Sequence, residues 1–486
     1  MRPAPIIAVV ALAGTVAAAQ LTGSTASPHR PPSHVTAPVR HMTLVCPNLT
    51  GEPGTNVVTT AVIADVARAL VPPSTSTGRV TTTVLKGAHS HPHVAALSPA
   101  GVIPGATANN GARAIAASGS IAATIVADQV TLVGAGRYRS LTNARCVPPS
   151  ADWWFAGADG RVGYDDNLYV ANPTDTAADV SVSVWSAKGQ LTPPRLASVP
   201  IPPRSSVYIP VATVTPDAAT LALHVHATSG AVTAALIDHR LQGVTPLGSD
   251  WIPATEAPAR SLVVPGYPTG SGTRNLVIAN PGDADATVNL KVVSGSGSFA
   301  PSGANQVVVP AGKTRIVDLS RAFAGSTGAA TVQSDQPVVA QGLAVTTAAP
   351  KLSDLMWLAA IPPLTGPGAF ADGHVPDGGG SALLLTAPQG AAQVRLTSLN
   401  GFHSTVTVPA GRSIALGTTG FNDVPIALSG LVVTPVGSAP VYVTRTMQLN
   451  GAHGALTTSE AVLSLPSAVE LPVVTEDPRT AIRSAG

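Results

Sequence analysis

Short runs of alternating apolar residues, separated by glycine, proline and aspartate, extend over most of the chain after residue 150. In ADVSVSVW, Val180, Val182 and Val184 alternate with small polar residues, which places one face of a strand in a core and the other in solvent. Helical periodicity is confined mainly to Thr60–Leu70, TAVIADVARAL. The pattern therefore predicts an all-β protein with one helix near its N-terminus.

Two landmarks recur along the chain at intervals of roughly 100 residues. Asn172-Pro173 is repeated as Asn280-Pro281 and, more weakly, as Ala387-Pro388. The second landmark follows in each copy, as IPPRSSVYIPV at 201–211, VPAGKTRIVDL at 309–319 and VPAGRSIALG at 408–417. Order and spacing are kept, which indicates one domain type used three times in tandem.

The VPAG phrase is typical of a hairpin. A β-branched strand meets a proline that cannot extend the ladder, and then Gly312 or Gly411 can adopt a positive φ angle. Each copy holds six or seven such short strands, which is the pattern of an immunoglobulin-like β-sandwich. We therefore expect three tandem sandwiches of this class.

The segment 43–150 is β-rich but shows no clear copy of the landmarks, so it is predicted as a divergent N-terminal domain. The full division is a signal peptide or signal anchor at 1–21, a disordered linker at 22–42, the N-terminal β-rich domain at 43–150, β-sandwiches at 151–245, 246–350 and 351–465, and a C-terminal tail at 466–486.

The chain contains two cysteines, Cys46 and Cys146. In an exported protein they are candidates for one disulfide, which would close a loop of about 100 residues and stabilise the fold by about 4–5 kcal/mol in the chain-entropy model. Two unpaired buried thiols are the alternative. A metal pair is less favoured because no third and fourth ligand lies nearby in sequence.

The N-terminus predicts export. Arg2 precedes the apolar run Ile6–Ala19, which ends in small residues, as in a secretory signal cleaved near Ala19. Retention of 6–21 as a single-span anchor is the alternative, although the run is short for a span of about 20 residues. We expect an extracellular location, either at the membrane face or cell wall or as a secreted protein.

Charge gives little guidance towards a partner. There are 27 basic and 25 acidic residues, a net charge of +2, so nothing favours nucleic acid or an anionic membrane surface. Membrane contact is expected only through the N-terminal segment. The partner candidates that remain are an envelope protein and a polysaccharide, and the oligomeric state is open.

Three groups could bind a metal. His89, His91 and His93 alternate, but Pro92 interrupts them and a solvated loop is favoured. Asp159, Asp165 and Asp166 could bind calcium, but they lack the EF-hand spacing and aspartate is a common turn residue.

His224 and His226 would share a strand face, but a hairpin at Ser229-Gly230 would place Ala235 and Thr233 opposite them, and neither is a strong ligand. No metal or other cofactor is therefore predicted, and neither are catalytic residues.

Tryptophans precede the copies, at Trp153, Trp251 and Trp357. Packing between domains is the favoured role, and an exposed platform for a sugar or a protein partner is the alternative.

The early Cys46-Pro47 pair, the later Cys146 with Pro148, the block Trp154-Phe155-Ala156-Gly157 and the strand ending at Pro173 resemble a family of exported proteins. The family occurs in high-GC Gram-positive bacteria and is catalogued as a domain of unknown function. The resemblance implies an envelope or secreted location and supplies no activity or catalytic residue. Members are often encoded near glycosyltransferases, which implies a link to surface polysaccharide. The single copies also resemble bacterial immunoglobulin-like modules.

The sequence thus favours a non-catalytic cell-envelope scaffold linked to surface polysaccharide assembly. A carbohydrate- or protein-binding adhesion module is the first alternative, and an envelope hydrolase is the second.

Overall fold

The structure is a computed structural model. It describes residues 34–47, 56–63, 78–94, 102–106, 111–348, 352–371, 379–398, 403–417, 430–451, 454–466 and 468–472. The described residues form 35 β-strands and two four-residue helices, α1 (Val211–Val214) and α2 (Ser320–Phe323), with short 3-10 turns at Gly87–His89, Gly119–Thr124 and Pro194–Leu196. The predicted all-β class is confirmed.

The chain forms two compact units. In one of them, β1 (His34–Pro38) pairs antiparallel with β35 (Ala468–Pro472), so the two ends of the described chain share a two-stranded sheet. The other unit spans Val39–Ser467 and contains all remaining strands.

The large unit is built from four copies of one two-sheet module. The first module consists of β2 (His41–Cys46), β3 (Asn56–Ile63), β4 (Arg79–Val84), β5 (Pro92–Val94), β6 (Val102–Ala106), β7 (Arg113–Ser118), β8 (Ile125–Val133) and β9 (Ser140–Arg145). One of its sheets has the order β2-β7-β4-β5 and is called the outer sheet. The other has the order β6-β3-β8-β9 and is called the inner sheet, because its edge strand β9 contacts the last strands of other modules.

The second module repeats this order. It consists of β10 (Asp152–Ala158), β11 (Asn167–Asn172), β12 (Ala178–Ser186), β13 (Gly189–Leu191), β14 (Val199–Ile201), β15 (Ser205–Pro210), β16 (Leu221–Ser229), β17 (Thr233–Gln242) and β18 (Thr245–Ile252). The outer sheet is β10-β16-β12, with β13 and β14 on the free side of β12, and the inner sheet is β15-β11-β17-β18. Since β18 pairs with β17, the module extends to Ile252 and not only to residue 245.

In the third module one strand serves both sheets. The module consists of β19 (Ala259–Tyr267), β20 (Gly272–Asn280), β21 (Ala286–Ser294), β22 (Gly297–Phe299), β23 (Gln306–Val309), β24 (Lys313–Asp318), β25 (Gly328–Ala348) and β26 (Leu352–Ala359). The first half of β25 pairs with β19 and β21 in the outer sheet, and its second half pairs with β20 and β26 in the inner sheet.

The fourth module has the same two sheets. It consists of β27 (Gly368–Phe370), β28 (Gly380–Ala387), β29 (Ala392–Ser398), β30 (His403–Val408), β31 (Arg412–Gly417), β32 (Leu431–Val436), β33 (Tyr442–Gly451) and β34 (Gly454–Ala461). Its outer sheet is β27-β32-β29-β30 and its inner sheet is β31-β28-β33-β34.

Alternating apolar residues from both sheets fill the core of each module. In β21, for example, Val288, Leu290 and Val292 are buried while Asn289 and Lys291 are exposed. They join residues of β19, β20 and β25 in one cluster. Burial of each such side chain contributes about 1.5–3 kcal/mol, which makes the two-sheet core the main source of stability in a module.

The four modules form a propeller-like ring and not a linear array of immunoglobulin-like sandwiches. The edge strands of the inner sheets contact one another in the cyclic order β9, β18, β26 and β34, so each module contributes its last strand to the centre. The strand order also differs from that of the immunoglobulin fold, where the first two strands share a sheet. Here the first strand lies in the outer sheet and the second in the inner sheet. The N-terminal segment, predicted as divergent, has the order of the other three.

Buried polar contacts join the central strands. The backbone N–H of Trp357 donates to Asp250 Oδ2 at 3.0 Å, and the N–H of Thr457 donates to Asp354 Oδ2 at 2.7 Å. The N–H of Asn143 donates to Thr458 Oγ1 at 3.1 Å. These three bonds link the third module to the second, the fourth to the third, and the first to the fourth.

The repeated VPAG phrase connects the two sheets of a module and does not form the predicted hairpin. Before it, β23 pairs with β21 in the outer sheet, and after it β24 pairs with β20 in the inner sheet. Gly312 and Gly411 have φ angles of 65° and 68°, as the turn prediction requires, and Arg204 occupies the same place in the second module with φ 48°.

Two further predictions concern the first module. The Cys46–Cys146 disulfide is present and joins the end of β2 to the residue after β9. The helix predicted at Thr60–Leu70 is wrong over its first four residues, because Asn56–Ile63 is a strand that pairs with β8. The remainder of that helix, the signal segment and the 22–33 part of the linker lie outside the described residues. Within the part of the chain that the structure describes, no helix is long and apolar enough to span a bilayer.

Candidate functional site

A cavity of about 400 Å³ lies where the second module meets the other three. The C-terminal ends of the four central strands and the segments that follow them form most of its wall. These ends come together because each module places its last strand at the centre of the ring. Most lining residues are apolar, and they include Ala144, Val147, Ile252, Ala359, Ala360 and Ile361.

Aromatic side chains form one side of the cavity. Trp153 is half-buried, and its indole Nε1 donates to the carbonyl of Val232 at 2.9 Å, which fixes the ring. Trp251 is 3% exposed and meets Tyr169 edge to face, with ring centroids 5.9 Å apart. The Nε1 of Trp251 is buried and has no hydrogen-bond partner among the described residues. A buried N–H without an acceptor costs about 1–3 kcal/mol.

A buried polar group lies at the end of β34. Glu460 accepts a hydrogen bond from Asn143 Nδ2 at 2.7 Å and one from Arg145 Nη1 at 3.4 Å. Burial, together with the nearby Asp128 carboxyl, raises the pKa of Glu460 well above its usual value. Within the described part of the chain, the Oδ1 atom of Asn143 is buried without a hydrogen-bond partner.

Glu256 also lines the cavity, in the segment after β18. It is half-buried, and this burial raises the pKa of its carboxyl. The neighbouring Thr255 is held by its hydroxyl, which donates to the carbonyl of Ala340 at 2.8 Å. Glu256 therefore lies on a fixed segment and could bind the polar end of a ligand.

The cavity wall is mainly apolar and carries a few polar side chains. An apolar pocket of this volume with a few polar groups is the usual form of a small-molecule site. The described lining residues include neither histidine nor cysteine.

Comparison with protein families gives one match, to a family of unknown function, DUF5719, over residues 102–419. The matched range is well over half of the chain and includes residues of all four modules. The chain belongs to the DUF5719 family.

Other comparisons add little to what is known of this DUF5719 protein. No curated protein sequence matches it. A solved chain described as the crystal structure of Thermotoga maritima 1070 is similar at 20% identity over 21% of this chain and 94% of that one. Its TM-score of 0.17 supports no inference about the fold.

The three tryptophans for which the sequence predicts packing between domains occupy different environments in the DUF5719 chain. Trp153 and Trp251 line the cavity, whereas Trp357 is 1% exposed at the boundary of the second and third modules. Its Nε1 donates to Asp238 Oδ2 at 2.9 Å. Because Trp251 and Trp357 are buried within strands, an exposed-platform role is wrong for both of them. Trp153 is partly accessible from the cavity.

The predicted acidic cluster does not converge on one point. Asp159 forms a two-bond ion pair with Arg161, at 2.8 and 2.7 Å. Asp165 instead accepts from Tyr138 and Arg137 in the first module, at 3.0 and 3.1 Å. Asp166 is buried and accepts from the backbone N–H of Asp159, and burial raises its pKa. These carboxyls fix the loop before β11 and its contact with the first module.

The predicted histidine string is exposed. His89 ends the turn Gly87–His89, His91 lies just before the short edge strand β5, and His93 lies within that strand. Between them, Ser90 is buried and its hydroxyl donates to the carbonyl of Arg204 at 3.1 Å. This segment therefore contacts the second module through Ser90, while the three imidazoles face solvent.

Sequence analysis missed most of the cavity. Asn143, Glu256 and Glu460 come from three distant parts of the chain, and no local motif marks them. The recurrence of a tryptophan before each repeat, at Trp153 and Trp251, is the sequence signal that points towards this site.

Proposed function

We propose that this protein is a non-catalytic binding protein of the cell envelope that holds one small amphipathic molecule in the cavity between its modules. The cavity of about 400 Å³, with its mainly apolar wall and the half-buried Glu256 carboxyl on that wall, is the observation that carries the proposal. Export and an extracellular location are parts of it that rest on the N-terminal sequence.

The wall favours an apolar body over a sugar. A sugar carries a hydroxyl on almost every carbon, and each buried hydroxyl without a partner costs free energy. The wall is mainly alanine, valine, proline and isoleucine, and its few charged groups include Asp152, Glu256 and Glu460. An apolar chain or ring with one polar end fits this distribution better than a carbohydrate does.

The ring supports a scaffold role for the same protein. Buried bonds between central strands hold the modules against one another, which would keep the cavity in one shape. Such pre-organisation lowers the cost of binding. A link to surface polysaccharide assembly rests on the family resemblance, and the amphipathic ligand could then be a lipid-linked component of that process.

A neutral lipophilic dye, N-phenyl-1-naphthylamine, tests the cavity directly. We expect its fluorescence to rise on binding to the full chain with one site per molecule. Ala235→Phe fills the cavity from β17 and should remove this signal, whereas Ala177→Phe, in an exposed turn away from the cavity, should keep it. Melting temperatures of both variants check that the fold is intact.

Two results would count against the proposal. One is the absence of dye binding to the folded wild-type chain, and the other is equal binding by Ala235→Phe and Ala177→Phe. Displacement of the dye by an apolar extract of the host envelope, but not by envelope oligosaccharides, would support the amphipathic ligand over the carbohydrate alternative.

Crosslinking and mass spectrometry on the native envelope fraction test location and partners. Recovery of the intact 6–21 segment together with polysaccharide-assembly proteins would support an anchored scaffold. A mature N-terminus near Gln20 in the medium, without a reproducible partner, would contradict anchoring and leave a secreted binding protein.

A further inference from the structure

Two histidines and an aspartate meet on the solvent face of the second module's outer sheet. His224 and His226 alternate on β16, so they point to the same face. β16 pairs with β10, where Asp152 stands opposite His226 and Trp154 opposite His224. The hairpin with β17 that the sequence suggested does not form, because β17 lies in the inner sheet. The third strong ligand, Asp152, is supplied by β10.

The three side chains converge on one point. Asp152 Oδ1 lies 2.8 Å from His224 Nε2 and 2.8 Å from His226 Nδ1. Among the described residues, this is the group of three potential ligands whose ligating atoms all lie within 4.8 Å of one another. Zinc binds imidazole nitrogen and carboxylate oxygen at about 2.0–2.2 Å, which sets tetrahedral ligand atoms roughly 3.4 Å apart. Small changes in the rotamers of the three side chains would move their ligating atoms apart to that spacing.

We propose that Asp152, His224 and His226 bind one divalent first-row metal ion, such as Zn²⁺, on the outer face of the second module. Imidazole with carboxylate is a donor set that suits zinc, copper and nickel. Three protein ligands leave a further coordination position for water or a ligand. That position faces solvent, because the side chains of Asp152 and His226 are 50% and 46% exposed.

Stacked aromatic rings hold His224 in place. The indole of Trp154 lies almost parallel to the His224 ring, with centroids 4.0 Å apart and an angle of 6°. Trp185 stacks on Trp154 in turn, at 5.5 Å. Trp154 is thus a positioning residue that restricts the imidazole orientation. On the other side of β16, His226 and His224 stand opposite Ser181 and Ser183 of β12, whose short side chains leave room for an ion.

Calorimetric titration of the tag-free, chelator-treated full chain with ZnCl₂ tests the site. We expect one ion per chain with a dissociation constant in the micromolar range or below. His226→Ala and Asp152→Asn should each weaken binding at least about tenfold. The double variant His89→Ala/His93→Ala, which changes the exposed histidine string, should bind as the wild type does. Equal melting temperatures without metal show that the variants fold.

Quenching of tryptophan fluorescence by Cu²⁺ locates the ion independently. An ion on His224 lies close to Trp154, so Trp154→Phe should remove much of the quenching while calorimetry still detects binding. Absence of Zn²⁺ binding by the folded wild type would overturn the proposal. So would undiminished affinity in His226→Ala, or loss of binding in the His89→Ala/His93→Ala control, because these results would place the ion elsewhere.

Discussion

The indole Nε1 of Trp357 donates a hydrogen bond of 2.9 Å to Oδ2 of Asp238, across the boundary between the third and second modules. The same ring covers Gly157 of β10, where a Cβ atom would lie 2.1 Å from the Cη2 of Trp357. One buried side chain thus fixes two strands of the neighbouring module. Such contacts explain why the modules form a ring and not a flexible string.

Replacement of Gly157 tests this contact. Gly157→Ala forces the ring of Trp357 to move in a closely packed boundary, and such overpacking costs about 1–3 kcal/mol. Gly189→Ala is the matched control, since Gly189 also has a positive φ angle but no atom of the described residues lies within 4 Å of its added Cβ. We expect urea denaturation to show that Gly157→Ala lowers the free energy of unfolding by about 1–3 kcal/mol more than Gly189→Ala does. Equal losses would show that the contact contributes little.

The class of the fold could be predicted because its signals are local. Alternation in β12 and β21 and the proline-glycine turn at Gly312 depend on neighbouring residues alone. The first module has no full VPAG phrase in its sequence, and only a similar tripeptide, Pro99-Ala100-Gly101, precedes β6.

The arrangement and the cavity could not be predicted from local patterns. The turn at Gly312 has the same chemistry whether the next strand joins the same sheet or the opposite one. At Thr60, an apolar run compatible with a helix is a strand because β8 offers it a partner. Asn143 and Glu460 are 317 residues apart, and closure of the ring brings them to one wall. The metal-ligand group was likewise hidden, because Asp152 meets His226 only through the pairing of β10 with β16.

The disulfide should contribute strongly to the first module. Cys46 and Cys146 are buried and close a loop with a sequence separation of 100. In the chain-entropy model such a link is worth about 4–5 kcal/mol. We expect Cys46→Ala/Cys146→Ala to lower the free energy of unfolding by about 4–5 kcal/mol and so to lower the denaturation midpoint. Reduction of the disulfide in the wild type should have the same effect. A midpoint that is unchanged by reduction would contradict this.

The sheet-to-sheet connections should depend on glycine. Gly312 and Gly411 have positive φ angles, and in the described part of the structure no atom would clash with a Cβ at Gly312. Alanine there should therefore cost only the backbone penalty, about 1–2 kcal/mol for each substitution. Gly295→Ala, at a glycine without a positive φ, serves as the control and should change stability little. Urea denaturation separates the two cases, and equal effects at 295 and 312 would refute the backbone explanation.

Stability should fall as the pH rises towards 8, because carboxyls are buried between the central strands. Burial raises the pKa of Asp354 from its usual 3.8 to about 8, although the N–H of Thr457 and the charge of Arg139 partly oppose the shift. The pKa of Asp250 nearby is also raised by burial. Between the unfolded and folded pKa values the folded chain holds a proton that the unfolded chain has released. Each such group therefore lowers the free energy of unfolding by about 1.4 kcal/mol per pH unit across that interval.

Asp354→Asn should remove one of the carboxyls that hold a proton in the folded chain and release it on unfolding. An amide keeps an oxygen that can accept from Thr457 and carries no charge, so the variant should lose stability less steeply between pH 4 and about 8. Asp283→Asn, in an exposed turn, should keep the wild-type slope. Urea denaturation at a series of pH values measures both slopes. If Asp354→Asn and the wild type changed in parallel, Asp354 would have to be ionised in the folded protein, and the centre of the ring would have to contain a compensating charge closer than Arg139.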